Sequence, residues 1–133
     1  MSDSVFTKII KGELPSHKIY EDDKTLAFLD ISPAQPGHVV VVPKTQVDFV
    51  WDLDSEDYQA LMATVQKVGR RLREAFPDKK RIGIQVEGLG MKDHAHVNVI
   101  PFSTIEEYRH LPDMDAEPDH QALAKMAEKL RIA

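Results

Sequence analysis

The run Val39-Val40-Val41-Val42, bounded by Gly37 and Pro43, constrains the chain more than any other feature. Four consecutive β-branched residues predict a strand buried on both faces. Upstream, His17 to Glu21 and Thr25 to Ile31 are strand-like and are separated by the acidic turn Asp22-Asp23, which predicts a hairpin. Ser32-Pro33-Ala34-Gln35-Pro36-Gly37 is a loop by its prolines and glycine. Downstream, Ile82, Ile84 and Val86 alternate as a strand, Gly88-Leu89-Gly90 turns the chain, and His94 to Phe102 forms a further strand.

The clearest helix runs from about Asp54 to Phe76. Tyr58, Leu61, Met62, Val65, Val68, Leu72 and Phe76 make one apolar stripe at the helical period. Asp54 caps it, Glu56 and Asp57 suit its positive end, and Arg70, Arg71 and Arg73 suit its negative end. A short opening helix spans Ser4 to Lys11 with Ser4 as its cap, and Leu123, Met126, Ala127 and Leu130 mark a C-terminal helix. Ser103 to Glu117, polar and carrying Pro112, reads as an irregular connection. The expected class is α+β in a single domain, 1–133, with about five mostly antiparallel strands, one long helix and short terminal helices.

Composition removes several classes of function. A chain of 133 residues without cysteine has no disulfide, thiolate zinc site or cysteine nucleophile, and fits a cytoplasmic location. A net charge of -5 argues against a long nucleic acid as partner, while leaving room for a small phosphorylated ligand in a locally positive pocket. No apolar stretch approaches membrane-spanning length, and the first residues do not read as a signal peptide.

The chemistry concentrates at His94-Ala95-His96-Val97-Asn98. Strand alternation puts His94, His96 and Asn98 on one face and Ala95, Val97 and Val99, with Ile100, toward the core. The adjacent glycine turn allows close backbone approach and offers amide donors to an anion. From the residues alone three readings stand: surface histidines, two ligands of a metal site completed by Asp93, His38 or His17, or an imidazole nucleophile attacking phosphorus.

The wider pattern resembles the histidine-triad (HIT) family, whose motif His-φ-His-φ-His-φ-φ (φ apolar) stands here as His94-Ala95-His96-Val97-Asn98-Val99-Ile100. The resemblance continues through Phe6 to Ser16, Tyr20 to Asp23, Ala27 to Pro33 and Pro36 to Lys44, in the family's order. It implies a nucleotide-binding α+β fold, commonly a homodimer, acting on purine nucleotides such as nucleoside phosphoramidates or dinucleoside polyphosphates without a cofactor. His96 would be the nucleophile at the α-phosphorus, forming a nucleotidyl-histidine that water resolves, and His94 would orient it. His38 would stand beside the triad, Asp30 would face the ribose hydroxyls, and Phe6, Ile9, Phe28 and Ile31 would wall the base. The helix Asp54 to Phe76 and the strand near Ile82 are the expected dimer interface.

The chain departs from the family pattern in three places. The third triad position is Asn98, which can donate an N–H to a phosphoryl oxygen but carries no positive charge; related transferase branches also place an amide there, as glutamine. Met91-Lys92 replaces a polar glutamine-serine pair that many relatives carry near the phosphate. A structural zinc found in many bacterial relatives would fall on Ser4, Thr7, Gln46 and His94, only the last a good ligand, so no zinc site of that type is expected.

Overall fold

The computed structural model describes residues 2–91 and 93–133. Its frame is one antiparallel sheet of five strands: β1 (Lys18–Glu21), β2 (Thr25–Leu29), β3 (Val39–Pro43), β4 (Arg81–Gln85) and β5 (Val97–Phe102), in the spatial order β1-β2-β3-β5-β4. Among the described residues four α-helices accompany it: α1 (Val5–Ile10), α2 (Ser55–Ala75), α3 (Ile105–Arg109) and α4 (His120–Leu130).

The expected hairpin forms because Asp22 organises its turn. Its Oδ1 accepts from the amides of Lys24 at 2.9 Å and Thr25 at 2.8 Å, and from the Thr25 hydroxyl at 2.9 Å. The valine strand is buried throughout, at the middle of the sheet. On one face Ala27, Leu29, Val39, Val41, Val97 and Val99 pack under Leu61, Val65, Val68 and Leu72 of α2 and Leu123, Ala127 and Leu130 of α4. On the other, Leu26, Phe28, Val40 and Val42 pack against Phe6, Ile9 and Ile10 of α1. A fully buried Val or Leu contributes about 1.5–3 kcal/mol, so the doubly covered strands anchor the molecule.

The long helix has 21 residues and Asp54 as its cap, accepting from the amide of Asp57 at 2.8 Å. Its stripe is shifted relative to the expected one: Tyr58 is exposed, and Thr64 is buried instead, its hydroxyl 2.7 Å from that of Thr25. Arg71 serves the end of a different helix from its own, donating Nη2–H to the Lys129 carbonyl at 2.7 Å.

Three expectations are corrected. The segment 103–117 is not wholly irregular, since it contains α3, opened by a capping box between Thr104 and Glu107. The last strand starts at Val97, not at His94, leaving His94 in a bend and Ala95-His96 as a lead-in outside the ladder. Ile100 is buried as expected, 1% exposed, but by register it lies on the Asn98 side of β5, opposite Val97 and Val99.

Candidate functional site

The lead-in to β5 is held by contacts that are not strand pairing. The Ala95 amide donates to the Val47 carbonyl at 2.7 Å, and His94 Nε2 lies 2.8 Å from the Pro43 carbonyl. A carbonyl only accepts, so His94 carries its hydrogen on Nε2 and its Nδ1 is an acceptor. That Nδ1 receives the hydroxyl of Ser4, 2.7 Å away. Ser4 Oγ in turn accepts from the Thr7 amide at 2.9 Å, which caps α1. Gln46 Oε1 closes the cluster, accepting from the Thr7 hydroxyl at 2.6 Å and the Ser4 amide at 3.0 Å. The four positions matched to a zinc site thus converge, joined by hydrogen bonds. His94 is fully buried; burial pushes its pKa below the ordinary 6.5, against the Pro43 hydrogen bond and the charge of Asp93, with His96 adding to the depression.

His96 is oriented by its own backbone neighbourhood. Its Nδ1 lies 3.1 Å from the His94 carbonyl and must donate to it. The neutral ring therefore presents an unprotonated Nε2. That atom has no hydrogen-bond partner among the described residues and is not sealed from solvent. Phe6 packs edge-on against this ring at 5.2 Å between centroids, against His94 at 5.6 Å and against Phe28 at 5.5 Å. α1 is thereby held over the triad.

Asn98 sits two residues along the same face, with Oδ1 2.9 Å from His38 Nε2. His38 Nδ1 accepts the Ala34 amide at 3.0 Å. The Asp30 carboxylate approaches the same His38 Nε2 at 3.7 Å, beyond hydrogen-bond reach, and its Oδ1 accepts the Ser32 amide at 2.8 Å. Its second oxygen has no hydrogen-bond partner among the described residues.

The structure brings His38, His94, His96, Asn98, Asp30, Phe6 and Phe28 into one neighbourhood, and Ile9 packs beside Phe6 on the face that buries Phe28. Ile31 is half-exposed in the loop after β2, and Met91 is half-buried in the turn before the motif. Lys92 lies outside the described residues. The glycine turn differs from expectation: the Leu89 and Gly90 amides are occupied by the Glu87 carboxylate, at 2.9 and 3.3 Å, instead of being offered to an anion. His17 is not near the triad; its Nε2 is 2.9 Å from Nδ1 of His120, which opens α4. Among the described residues no three His, Asp or Glu side chains gather as a metal site.

A cavity of ≈ 390 Å³ lies behind the loop 30–38. Asp30, Ile31 and His38 line it, with Leu123 and Met126 of α4 opposite, whereas His94, His96 and Phe6 do not. His96 and Asn98 stand instead on the α1 side of the sheet, where Asn98 pairs with Val40 and His96 packs on Phe6. Residue types signalled the histidines and Asp30; the backbone carbonyls of Pro43 and His94 and the amide of Ala34, which fix the imidazole tautomers, carry no residue-type signal.

Residues 11–101, more than half of the chain, match the HIT domain. The chain is 38% identical to protein hit of Bacillus subtilis, over 73% of this chain and 69% of that one. It is 33% identical to an adenosine 5'-monophosphoramidase of Schizosaccharomyces pombe, over 78% of this chain and 77% of that one. A crystal structure of a HIT-like protein from Bartonella henselae superimposes with a TM-score of 0.81 at 28% identity, covering 97% of this chain and 95% of that chain. A five-stranded antiparallel sheet with the long helix on one face and the His96 and Asn98 side chains on the other defines the class, and the chain belongs to the HIT family. No helix among the described residues is long and apolar enough to cross a membrane.

Proposed function

We propose that this chain is a nucleotide hydrolase or nucleotidyl transferase that acts on purine nucleoside phosphoramidates or polyphosphates through a covalent nucleotidyl-histidine. The observation that carries the reading is the Nδ1–H of His96 committed to the His94 carbonyl, which leaves the Nε2 lone pair free and not sealed from solvent. A neutral imidazole nitrogen is a competent nucleophile. In the first step His96 Nε2 forms a bond to the α-phosphorus while the bond to the leaving amine or phosphate breaks, and a leaving amine takes up a proton from solvent that the second step returns. In the second step water forms the new P–O bond, the P–Nε2 bond breaks, and the neutral ring and a nucleoside monophosphate are restored; an acceptor other than water makes the same step a transfer.

Asp30 would accept the ribose hydroxyls, Phe6, Ile9, Phe28 and Ile31 would enclose the base, and Met91 would border the phosphate. The activity named for the S. pombe relative, on an adenosine 5'-monophosphoramidate, supports a phosphoramidate as substrate. A second reading, a nucleotide-binding module with little turnover, is favoured by Asn98, which supplies no cation to the developing charge.

The deciding experiment incubates the protein with an adenosine phosphoramidate, following AMP release and the mass of a trapped adduct, beside His96→Ala. Release and adduct that both disappear with His96 support the enzyme. AMP binding with no release from either protein supports the binding module.

We also propose a homodimer that uses α2 and the free edge of β4, where Ile84 and neighbouring Val86 are each 47% exposed. Sedimentation of the natural protein beside Ile84→Glu tests it, a monomer in both cases refuting the assembly.

A further inference from the structure

We infer that His38 acts on the reaction through Asn98, as a positioning residue that decides which end of the Asn98 amide meets the phosphate. The inference rests on the reading of His96 as nucleophile. Its origin is one backbone amide. Because Ala34 donates to His38 Nδ1 at 3.0 Å, the neutral ring carries its hydrogen on Nε2. Nε2–H then requires an acceptor, and the only atom of the Asn98 side chain that can serve is Oδ1, found at 2.9 Å. The flipped amide would set two donors against each other in a buried place, where a lost hydrogen bond is costly. His38 and Asn98 are 4% and 8% exposed, so water does not substitute freely.

The consequence falls on Asn98 Nδ2. It has no partner among the described residues, yet it is not among the buried unpartnered atoms, so solvent and a ligand can reach it. Asn98 lies on the same side of β5 as His96, about 7 Å along the chain. A phosphoryl group attacked by His96 Nε2 therefore meets an N–H donor at the third triad position. A neutral donor fixed in place does there part of what a cation would do, since donors already aimed at developing charge need no reorganisation.

The loop supplies the rigidity. Asp30 N–H donates to the His38 carbonyl at 3.0 Å and His38 N–H to the Gln35 carbonyl at 3.1 Å, so the segment that carries Asp30 also fixes the imidazole. Orientation of the Asn98 amide and placement of the Asp30 carboxylate are set by one closed loop.

The test measures kcat and KM for AMP release from an adenosine phosphoramidate with His38→Leu, His38→Gln, Asn98→Ala and the double variant His38→Leu/Asn98→Ala. Loss of the donor in Asn98→Ala is expected to lower kcat by about 10²–10³-fold, the scale for one such donor. His38→Leu is expected to lower kcat by a smaller factor with KM nearly unchanged, and His38→Gln, which keeps an N–H for Oδ1, to recover part of it. The double variant is expected to be no slower than Asn98→Ala alone, because a residue acting only through another adds nothing once that partner is gone. Losses that multiply overturn the inference.

A second arm needs no turnover. In the unliganded protein, ¹⁵N NMR is expected to show His38 with its hydrogen on Nε2, and AMP to shift the Asn98 side-chain NH₂ in the natural protein but not in His38→Leu. A hydrogen on Nδ1, or the same Asn98 response in both proteins, overturns it. Absence of AMP release from the natural protein defeats the enzyme reading instead, and the NMR arm then decides the role of His38.

Discussion

The hydroxyl of Ser4 lies 2.7 Å from Nδ1 of His94, joining residues 90 apart in sequence, both buried. One side chain thereby caps α1, by accepting the Thr7 amide, and fixes the first histidine of the motif. Ser4→Ala removes both bonds and leaves His94 Nδ1 short of its best donor. The expected loss is about 1–3 kcal/mol of unfolding free energy, combining a lost cap with an unsatisfied buried acceptor. Denaturant unfolding measures it; an unchanged midpoint would show that the cluster contributes nothing to stability.

Acid should weaken this connection. Burial lowers the pKa of His94 below the ordinary 6.5, so below about pH 6.5 the unfolded chain binds a proton that the folded chain resists. The unfolded state then holds more protons, and stability rises with pH across that window. The contribution of His94 is thus complete above pH 6.5 and is lost as pH falls through its depressed folded value. Tm measured from pH 8 to pH 5 should fall more steeply for the natural protein than for His94→Gln, which has no titrating ring; parallel curves would refute it.

Two glycines should respond to alanine with opposite signs. Gly37 has φ of +87° and an added Cβ would meet Phe76 Cε2 at 2.7 Å, so Gly37→Ala is expected to destabilise by more than about 1 kcal/mol. Gly69 lies within α2 with nothing within 4 Å of an added Cβ, and Gly69→Ala is expected to stabilise by about 0.4–1 kcal/mol. Chemical denaturation of the pair checks both signs at once.

Asp30 gives a test of ligand placement. If its carboxylate accepts ribose hydroxyls, AMP should bind more tightly than 2'-deoxy-AMP, and Asp30→Ala should erase the difference. A hydrogen bond to a charged group is worth about 1.5–3 kcal/mol, or roughly ten- to a hundredfold in affinity. Titration calorimetry on the four combinations would reveal equal discrimination in both proteins if Asp30 faces elsewhere.

Periodicity and composition made β2, β3, α2 and the terminal helices readable, because each buries a repeated face long enough to leave a pattern. α3 escaped because five residues span too little helix for an apolar stripe, although Thr104 and Glu107 form its capping box. The start of β5 was misplaced for a specific reason. Val97 pairs with Val41, and two residues further along β3 stands Pro43, which has no N–H to extend the ladder. Its carbonyl instead takes the ring hydrogen of His94. Likewise, Glu87 gave no hint in sequence that it would claim the amides of the glycine turn.

The order β1-β2-β3-β5-β4 bears on the birth of the protein as well as on its finished form. The partner strands β3 and β5 are separated by the whole of α2 and β4. On a ribosome, β1, β2 and β3 emerge first and can pair among themselves, while one edge of β3 waits for residues 97 to 102. Until then Ser4 has no His94, His38 has no Asn98, and the nascent chain exposes an unpaired valine edge of the kind that invites wrong neighbours. Completion of the site and concealment of that edge are the same late event in synthesis.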